Sequence, residues 1–276
     1  MGALDGKVAV VAGASRGIGK GIALELGAAG ATVYACGRTM DPRPGDALGS
    51  LTETVAAIEE AGGSAVAVRC DHTVDADVSA LFAQVRAEAG RLDFVVNSVF
   101  NAGEFGPTIG VPFWELPTDI WRDVVDVGTK SAYLTSAHAA PLLLATGPGL
   151  IANVSGRGAE RYRYGVAYGV GKAALDKMTR DMAEELRPHD VAVVSLWPNV
   201  TRTEHLEARG GPQPKSGADT DDINLLETPR FSGRAVVALA ADQDRMKRTG
   251  QRFWVAQLAM DYDFTDEHGR PHPLPV

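Results

Sequence analysis

Seven short apolar runs, KVAVVAG, ATVYACG, SAVAVRC, LDFVVNS, GLIANVS, VAVVSLW and QRFWVA, recur along the 276 residues with helix-length stretches between them. Their apolar residues are consecutive rather than alternating, which is the pattern of strands covered on both faces. Such strands need helices above and below the sheet, and parallel neighbours need the long right-handed crossovers that the intervening stretches supply. The runs predict an α/β fold with a doubly wound, parallel, seven-stranded sheet and helices on both faces. No linker long enough to divide the chain interrupts the series, so residues 1–276 are expected to form a single domain.

Two segments rich in Pro, Gly and Asp break the regular economy: Met40 to Ser50 after the second run, and Ala208 to Asp222 after the sixth. The first is expected to be a surface insertion. The second lies beside the ligand edge of a parallel sheet, so a substrate lid is expected at about 202–227, followed later by a short C-terminal extension. A net charge of -8 with no long basic run argues against nucleic-acid binding. No apolar run approaches the roughly 18 residues of a membrane span, and with the first strand beginning by Lys7 no signal peptide is expected. Cys36 and Cys70 fit buried free thiols and no metal pattern, and a reducing, cytoplasmic setting is expected.

Directly after the first run comes AGASRGIG, Ala12 to Gly19, opening the stretch KGIALELGAAG. Glycines let a chain turn tightly and approach a pyrophosphate, and a helix N-terminus offers unpaired N–H groups to the same anion. A strand before and a helix after make this a nucleotide-binding turn. With Asp71 after the third strand, NSVFNAG after the fourth, the Tyr168 to Lys172 pair, and WPNVTRT, the turn resembles that of the short-chain dehydrogenase/reductase family over nearly the whole chain. AYGVGKAALDK, SLWP, SGRAVVALA and DEHGRP narrow the likeness to one subgroup of that family.

The resemblance implies a Rossmann-type fold and a nicotinamide dinucleotide cofactor. It places Gly13, Gly17 and Gly19 around the pyrophosphate, with Ser15, Arg16 and Ile18 in the same cofactor-binding turn. Asp71 would meet the adenine, Asn97 the adenosine ribose, and Val200 and Thr203 the nicotinamide carboxamide. A carboxylate at the end of the second strand would repel a 2'-phosphate, and this chain has Cys36, Gly37 and Arg38 there. Arg16 and Arg38 can flank a phosphate instead, so NADP(H) is the preferred cofactor and NAD(H) the alternative.

Carbonyl and alcohol interconversion needs a positioned acid/base, and a tyrosine serves only if a cation favours its phenolate. Of the three tyrosines between Val154 and Lys172, only Tyr168 has a lysine one helical turn away, Lys172. The resemblance agrees, adding Ser155 to orient the substrate oxygen and assigning Lys172 the nicotinamide ribose as well. Gly169 and Gly171, inside that predicted helix, point to a close approach by cofactor or a neighbouring helix. The pattern breaks at Gly128, where the family usually has an asparagine that supports proton relay, and at Ala12, Ser98 and Asn199.

Phe100, Phe113, Trp114, Tyr162, Tyr164, Trp197 and His205 are the candidate substrate contacts, and they suggest a small apolar or aromatic carbonyl or alcohol. Arg161, Arg163 and Arg202 could meet an acidic group on it. Ala174, Met178 and Met182 form a stripe expected to pack in the core or against another subunit, the core reading coming first. Family members commonly pair through the fourth and fifth long helices, which implies a homo-dimer or homo-tetramer here. The rival reading is a catalytically silent NAD(P)-binding sensor or scaffold of the same fold.

Overall fold

The computed structural model describes residues 2–42, 48–208, 210–211 and 226–275. Its strands are β1 (Val8–Ala12), β2 (Thr32–Gly37), β3 (Ser64–Arg69), β4 (Phe94–Asn97), β5 (Gly149–Val154), β6 (Val191–Trp197) and β7 (Arg252–Trp254). All pair in parallel, in the order β3-β2-β1-β4-β5-β6-β7. The helices are α1 (Gly17–Ala28), α2 (Leu51–Glu60), α3 (Asp75–Ala89), α4 (Ala102–Phe105), α5 (Val127–Thr146), α6 (Val166–Leu186), α7 (Glu204–Ala208), α8 (Pro229–Ala241) and α9 (Val255–Tyr262).

Consecutive apolar residues are required because side chains alternate across a sheet that has a core on each face. In β1, Ala9 and Val11 enter one core with α1, α2, α8 and α9, whereas Val8 and Val10 enter the other with α3, α5 and α6. The strand order reverses direction between β1 and β4, and the crevice at their carboxyl ends is where open α/β sheets bind ligands.

Local chemistry fixes the elements that frame this crevice. Ser50 caps α2 by accepting from the Glu53 N–H at 3.2 Å, and Thr228 caps α8 by accepting from the Phe231 N–H at 3.2 Å, with Pro229 at the first helical position. Gly21 and Gly233 let α1 and α8 cross in contact: a Cβ on Gly233 would stand 2.6 Å from the Gly21 carbonyl oxygen. The C-terminal extension is tied to α8, because Arg234 donates to the carbonyls of Thr265 and Asp266 at 2.9 and 3.0 Å.

The expected stripe lies at the margin of the core, against which Met182 packs. The buried face of α6 is Gly171, Leu175, Asp176, Thr179 and Ala183, and Ala174, Met178 and Met182 lie half-buried beside it. Cys36 and Cys70 are buried free thiols. Among the described residues no helix is long and apolar enough to cross a membrane, and no side-chain cluster could hold a metal. Residues 43–47 of the first loop, and 209 and 212–225 of the expected lid, lie outside the described residues.

Candidate active site

A cleft of about 1480 Å³ opens along the carboxyl ends of the strands. One end is the glycine turn, where Gly13, Ser15, Arg16, Gly17, Ile18 and Gly19 all line the wall. Gly13 adopts φ +84, and a Cβ there would stand 2.6 Å from the Ser98 carbonyl oxygen, so glycine is needed for the ends of β1 and β4 to meet. Gly19 packs in turn on the Gly13 carbonyl. Gly17 differs: its N–H points at an anion, donating to the Glu204 carboxylate at 2.7 Å. The turn is therefore built to present an N–H donor to negative charge, the chemistry a diphosphate needs.

Arg16 reaches from this turn to the neighbourhood of β2, donating to Thr39 Oγ1 at 3.0 Å and the Gly49 carbonyl at 3.2 Å. Arg38 stands exposed on the same wall, with Arg69, Asp71 and Thr73 beyond. Burial raises the Asp71 pKa, but hydrogen bonds from Thr73 and the charges of Arg38 and His72 outweigh it and hold the carboxyl below its usual value.

At the other end, Tyr168, Lys172 and Ser155 line one wall. Ser155 follows β5, and its hydroxyl donates to the Lys172 carbonyl at 3.0 Å, locking the strand end to α6. Lys172 Nζ donates to the Val154 carbonyl at 3.1 Å. Gly156 and Gly158 make room for Tyr168: a Cβ on Gly156 would stand 3.1 Å from its phenolic oxygen, and one on Gly158 would overlap its ring, 2.6 Å from Cδ1. Phe105 stacks on the Tyr168 ring at 5.0 Å between centroids, with Tyr164 at 5.4 Å and Phe100 at 6.1 Å edge-on.

This aromatic enclosure sets the acid/base character. Burial pushes the Tyr168 phenol well above its usual value, Tyr164 adds to the shift, and Arg163 opposes it. Burial also pulls Lys172 down to about 8, against the opposing charge of Asp176. Lys172 Nζ is turned to the Val154 carbonyl and stands 5.7 Å from the centre of the Tyr168 ring, and burial, not a neighbouring cation, dominates the phenol's shift.

The comparisons with known proteins agree with this geometry. The short chain dehydrogenase family model matches residues 7–213. The chain belongs to the short-chain dehydrogenase family. It is 40% identical over 275 residues to dehydrogenase/reductase SDR family member 1 of Mus musculus, covering 97% of this chain and 85% of that one. It is 32% identical over 206 residues to 7alpha-hydroxysteroid dehydrogenase of Escherichia coli K12, covering 74% and 75%. A crystal structure of a short-chain type dehydrogenase/reductase from Mycobacterium marinum superposes with TM-score 0.74 at 26% identity, covering 91% of this chain and 94% of that one. A 7 alpha-hydroxysteroid dehydrogenase complexed with NADH and 7-oxo glycochenodeoxycholic acid superposes at 0.73 and 27%, covering 91% and 93%. This short-chain dehydrogenase is thus an oxidoreductase acting on an alcohol/carbonyl pair with a nicotinamide cofactor.

Several expected contacts of the short-chain dehydrogenase lie elsewhere. Asn97 does not line the cleft: its Nδ2 donates to Asn153 Oδ1 at 2.8 Å and Ser136 Oγ at 3.0 Å, because strand parity turns it toward α5 and α6. Trp197 is buried at 1% exposure by the same parity, donating to Asp176 at 3.2 Å and packing edge-on against Trp254. Phe113 and Trp114 project from the surface at 62% and 72% exposure, against each other and away from the cleft. Arg202 is exposed and also outside the wall. Phe100, Tyr162, Tyr164, His205, Arg161, Arg163, Val200 and Thr203 do line it, Tyr162 at the rim with 83% exposure.

The chain's departures acquire structural form. Residues Arg122–Asp126, just before Gly128, form a π-helical turn that runs into α5. Such a turn widens the ladder and shifts carbonyls off the i−4 pattern, a backbone substitute for an interrupting side chain. Of the two helix glycines, Gly169 makes the closer approach, with a would-be Cβ 3.2 Å from the Gly158 carbonyl oxygen, whereas one on Gly171 would be in ordinary contact with the Val124 carbonyl oxygen at 3.6 Å.

Residues missed in the sequence are Phe105, Arg157, Gly158, Glu204 and Glu227. Glu227, at 1% exposure, accepts from the Asn199 N–H at 3.1 Å and bonds Val200 and Arg202 through its backbone, fastening the loop that carries Val200 and Thr203. Burial pushes its carboxyl from 4.5 up to about 8, against the Asn199 hydrogen bond. A carboxyl raised on folding contributes stability that is complete below pH 4.5 and lost as pH rises through about 8. Glu227→Gln is therefore expected to gain on wild type between pH 5 and pH 9 by on the order of a few kcal/mol. Urea unfolding at both pH values reads the gap, and parallel curves would refute the assignment.

Proposed function

We propose that the chain is an NADP(H)-dependent oxidoreductase that interconverts an apolar or aromatic carbonyl compound and its alcohol, with Tyr168 as acid/base. The observation that carries this reading is the convergence of Ser155, Tyr168 and Lys172 on one wall of a cleft whose other end is an anion-binding glycine turn. A bound nicotinamide supplies or accepts the hydride. The Tyr168 phenol, kept neutral by burial, is in the form that donates a proton to a carbonyl oxygen during reduction. The Ser155 hydroxyl, beside the same wall, rotates from the Lys172 carbonyl to orient that oxygen. Phe100, Phe105 and Tyr164 exclude water and favour an apolar or aromatic body, while Arg157, Arg161 and Arg163 on the same wall accommodate an acidic substituent.

Gly128 would favour the silent sensor, since it supplies no relay side chain. The convergent proton-transfer groups and the π-helical turn favour turnover. The test is NADPH oxidation across a panel of aldehydes and ketones: turnover of apolar or aromatic members is expected, and cofactor binding with no turnover would favour the sensor.

Cofactor preference rests on Arg16 and Arg38, with no carboxylate at the end of β2. Replacing an attracting charge with a repelling one makes Arg38→Asp shift the NADPH:NADH ratio of kcat/KM toward NADH by about 10- to 100-fold. Identical ratios in both proteins would contradict it. We further infer a homo-oligomer through α5 and α6, which leave Tyr133, Val166 and Val170 exposed; light scattering reads its size.

A further inference from the structure

A carboxylate from a segment 187 residues away in sequence sits in the glycine turn: Gly17 N–H donates to Glu204 Oε2 at 2.7 Å, a short charge-assisted bond. Gly17 opens α1, whose N-cap residue Arg16 makes no side-chain cap and whose first turn has no acidic residue. Glu204 therefore supplies from outside the negative charge that the N-terminus of α1 favours. The contact is reinforced next door, where the Thr203 methyl lies 3.3 Å from the position of a Cβ on Gly17. Thr203 also starts the short helical turn that follows, its carbonyl accepting from Glu207 N–H at 3.0 Å and its Oγ1 from Leu206 N–H at 3.3 Å. Thr203, Glu204, His205 and Leu206 all line the cleft.

This arrangement places one anion where another must bind. The Gly17 N–H is a single donor, half-buried Glu204 occupies it, and a diphosphate docking on the N-terminus of α1 would compete for that donor and bring negative charge of its own. We propose that Glu204 is a latch: its carboxylate holds the 203–208 segment across the glycine turn and is displaced by the cofactor diphosphate, so cofactor entry frees the segment over the substrate end. The latch rests on the cofactor reading above and adds to it a residue that weakens cofactor binding. It also gives the segment after β6 two anchors, a releasable one at Glu204 and a permanent one at Glu227.

Glu204→Gln keeps the shape and removes the charge, and Glu204→Ala removes the side chain. Both are expected to bind NADPH about tenfold more tightly than wild type in a fluorescence titration, because the competent state no longer has to be won from the carboxylate. Both should also melt at a lower temperature than wild type without cofactor, having lost the cap on α1. Inorganic pyrophosphate, titrated alone and followed by its effect on the thermal melt, should bind both variants more tightly than wild type by the same factor as NADPH. Adenosine 2'-monophosphate, which lacks a diphosphate, should bind all of them alike. Glu207→Gln, which changes the net charge equally at an exposed neighbour, should leave NADPH affinity unchanged. NADPH affinity unchanged or weakened by both Glu204 variants, or tightened equally by Glu207→Gln, overturns the latch. If neither NADPH nor NADH binds any of the proteins, the cofactor reading falls and the latch with it.

Discussion

Tyr168→Phe is expected to lower kcat/KM for carbonyl reduction by about 10²- to 10⁴-fold, the range typical of losing a positioned general acid. The substitution is a clean probe because the ring is held by packing. Phe105 stacks on it and Phe100 and Tyr164 meet it edge-on, contacts that a phenylalanine retains. Only the O–H is removed, from a site where burial already disfavours its ionised form. NADPH affinity should therefore stay within a few-fold of wild type, and the thermal melt should be preserved. Loss of cofactor binding together with activity would mean that Tyr168 acts mainly as a structural support. Undiminished turnover would remove it from the chemistry.

Gly158→Ala should have an effect of similar size by a different route. Gly158 has no left-handed backbone requirement, so an alanine there is conformationally permitted. Its Cβ, however, would overlap the Tyr168 ring, standing 2.6 Å from Cδ1. The ring has little room to yield, being stacked by Phe105 and set on a helix whose start is fixed by the Gly165 turn. A displacement of about 1 Å at a reacting group costs on the order of 10²-fold in rate. A loss of at least that size is expected in kcat/KM, with NADPH binding retained. Wild-type kcat/KM in Gly158→Ala would show that the ring moves freely and that its placement is not set by this glycine.

What could be read from the sequence follows the reach of each interaction. The inner strands are legible because every residue of a doubly covered strand is buried, as in β1, β5 and β6, and the edge strands β3 and β7, only partly buried, are legible from their apolar composition. Tyr168 and Lys172 are legible because a helix brings residues four apart to one face. Trp197 fails because its side depends on parity at the last residue of β6, and there it turns under α6 to Asp176 rather than into the cleft. Parity likewise turns the Asn97 side chain, at the end of β4, to Asn153 and Ser136. Phe105 carries no local signal, since a four-residue helix after β4 decides that it covers Tyr168. Glu204 and Gly17 meet only once the sheet has brought the ends of β1 and β6 to the same edge.

The proposed active site is assembled from two kinds of constraint. Short-range spacing puts Tyr168 and Lys172 on one helix face, while packing across the cleft fixes their environment. The Tyr168 phenol is raised by the aromatic wall, and Lys172 is lowered to about 8 by its own burial. Neither shift follows from the identity of the residue alone.

The most direct measurement is isotope transfer from NADPH carrying deuterium at both positions of the reactive nicotinamide carbon to an aromatic ketone, followed by mass spectrometry of the product. The expected result is an alcohol with one deuterium at the former carbonyl carbon from wild type, and the same product formed about 10²- to 10⁴-fold more slowly by Tyr168→Phe. Bound NADPH with no labelled alcohol across the panel, or labelled alcohol formed equally fast by both proteins, would contradict the account.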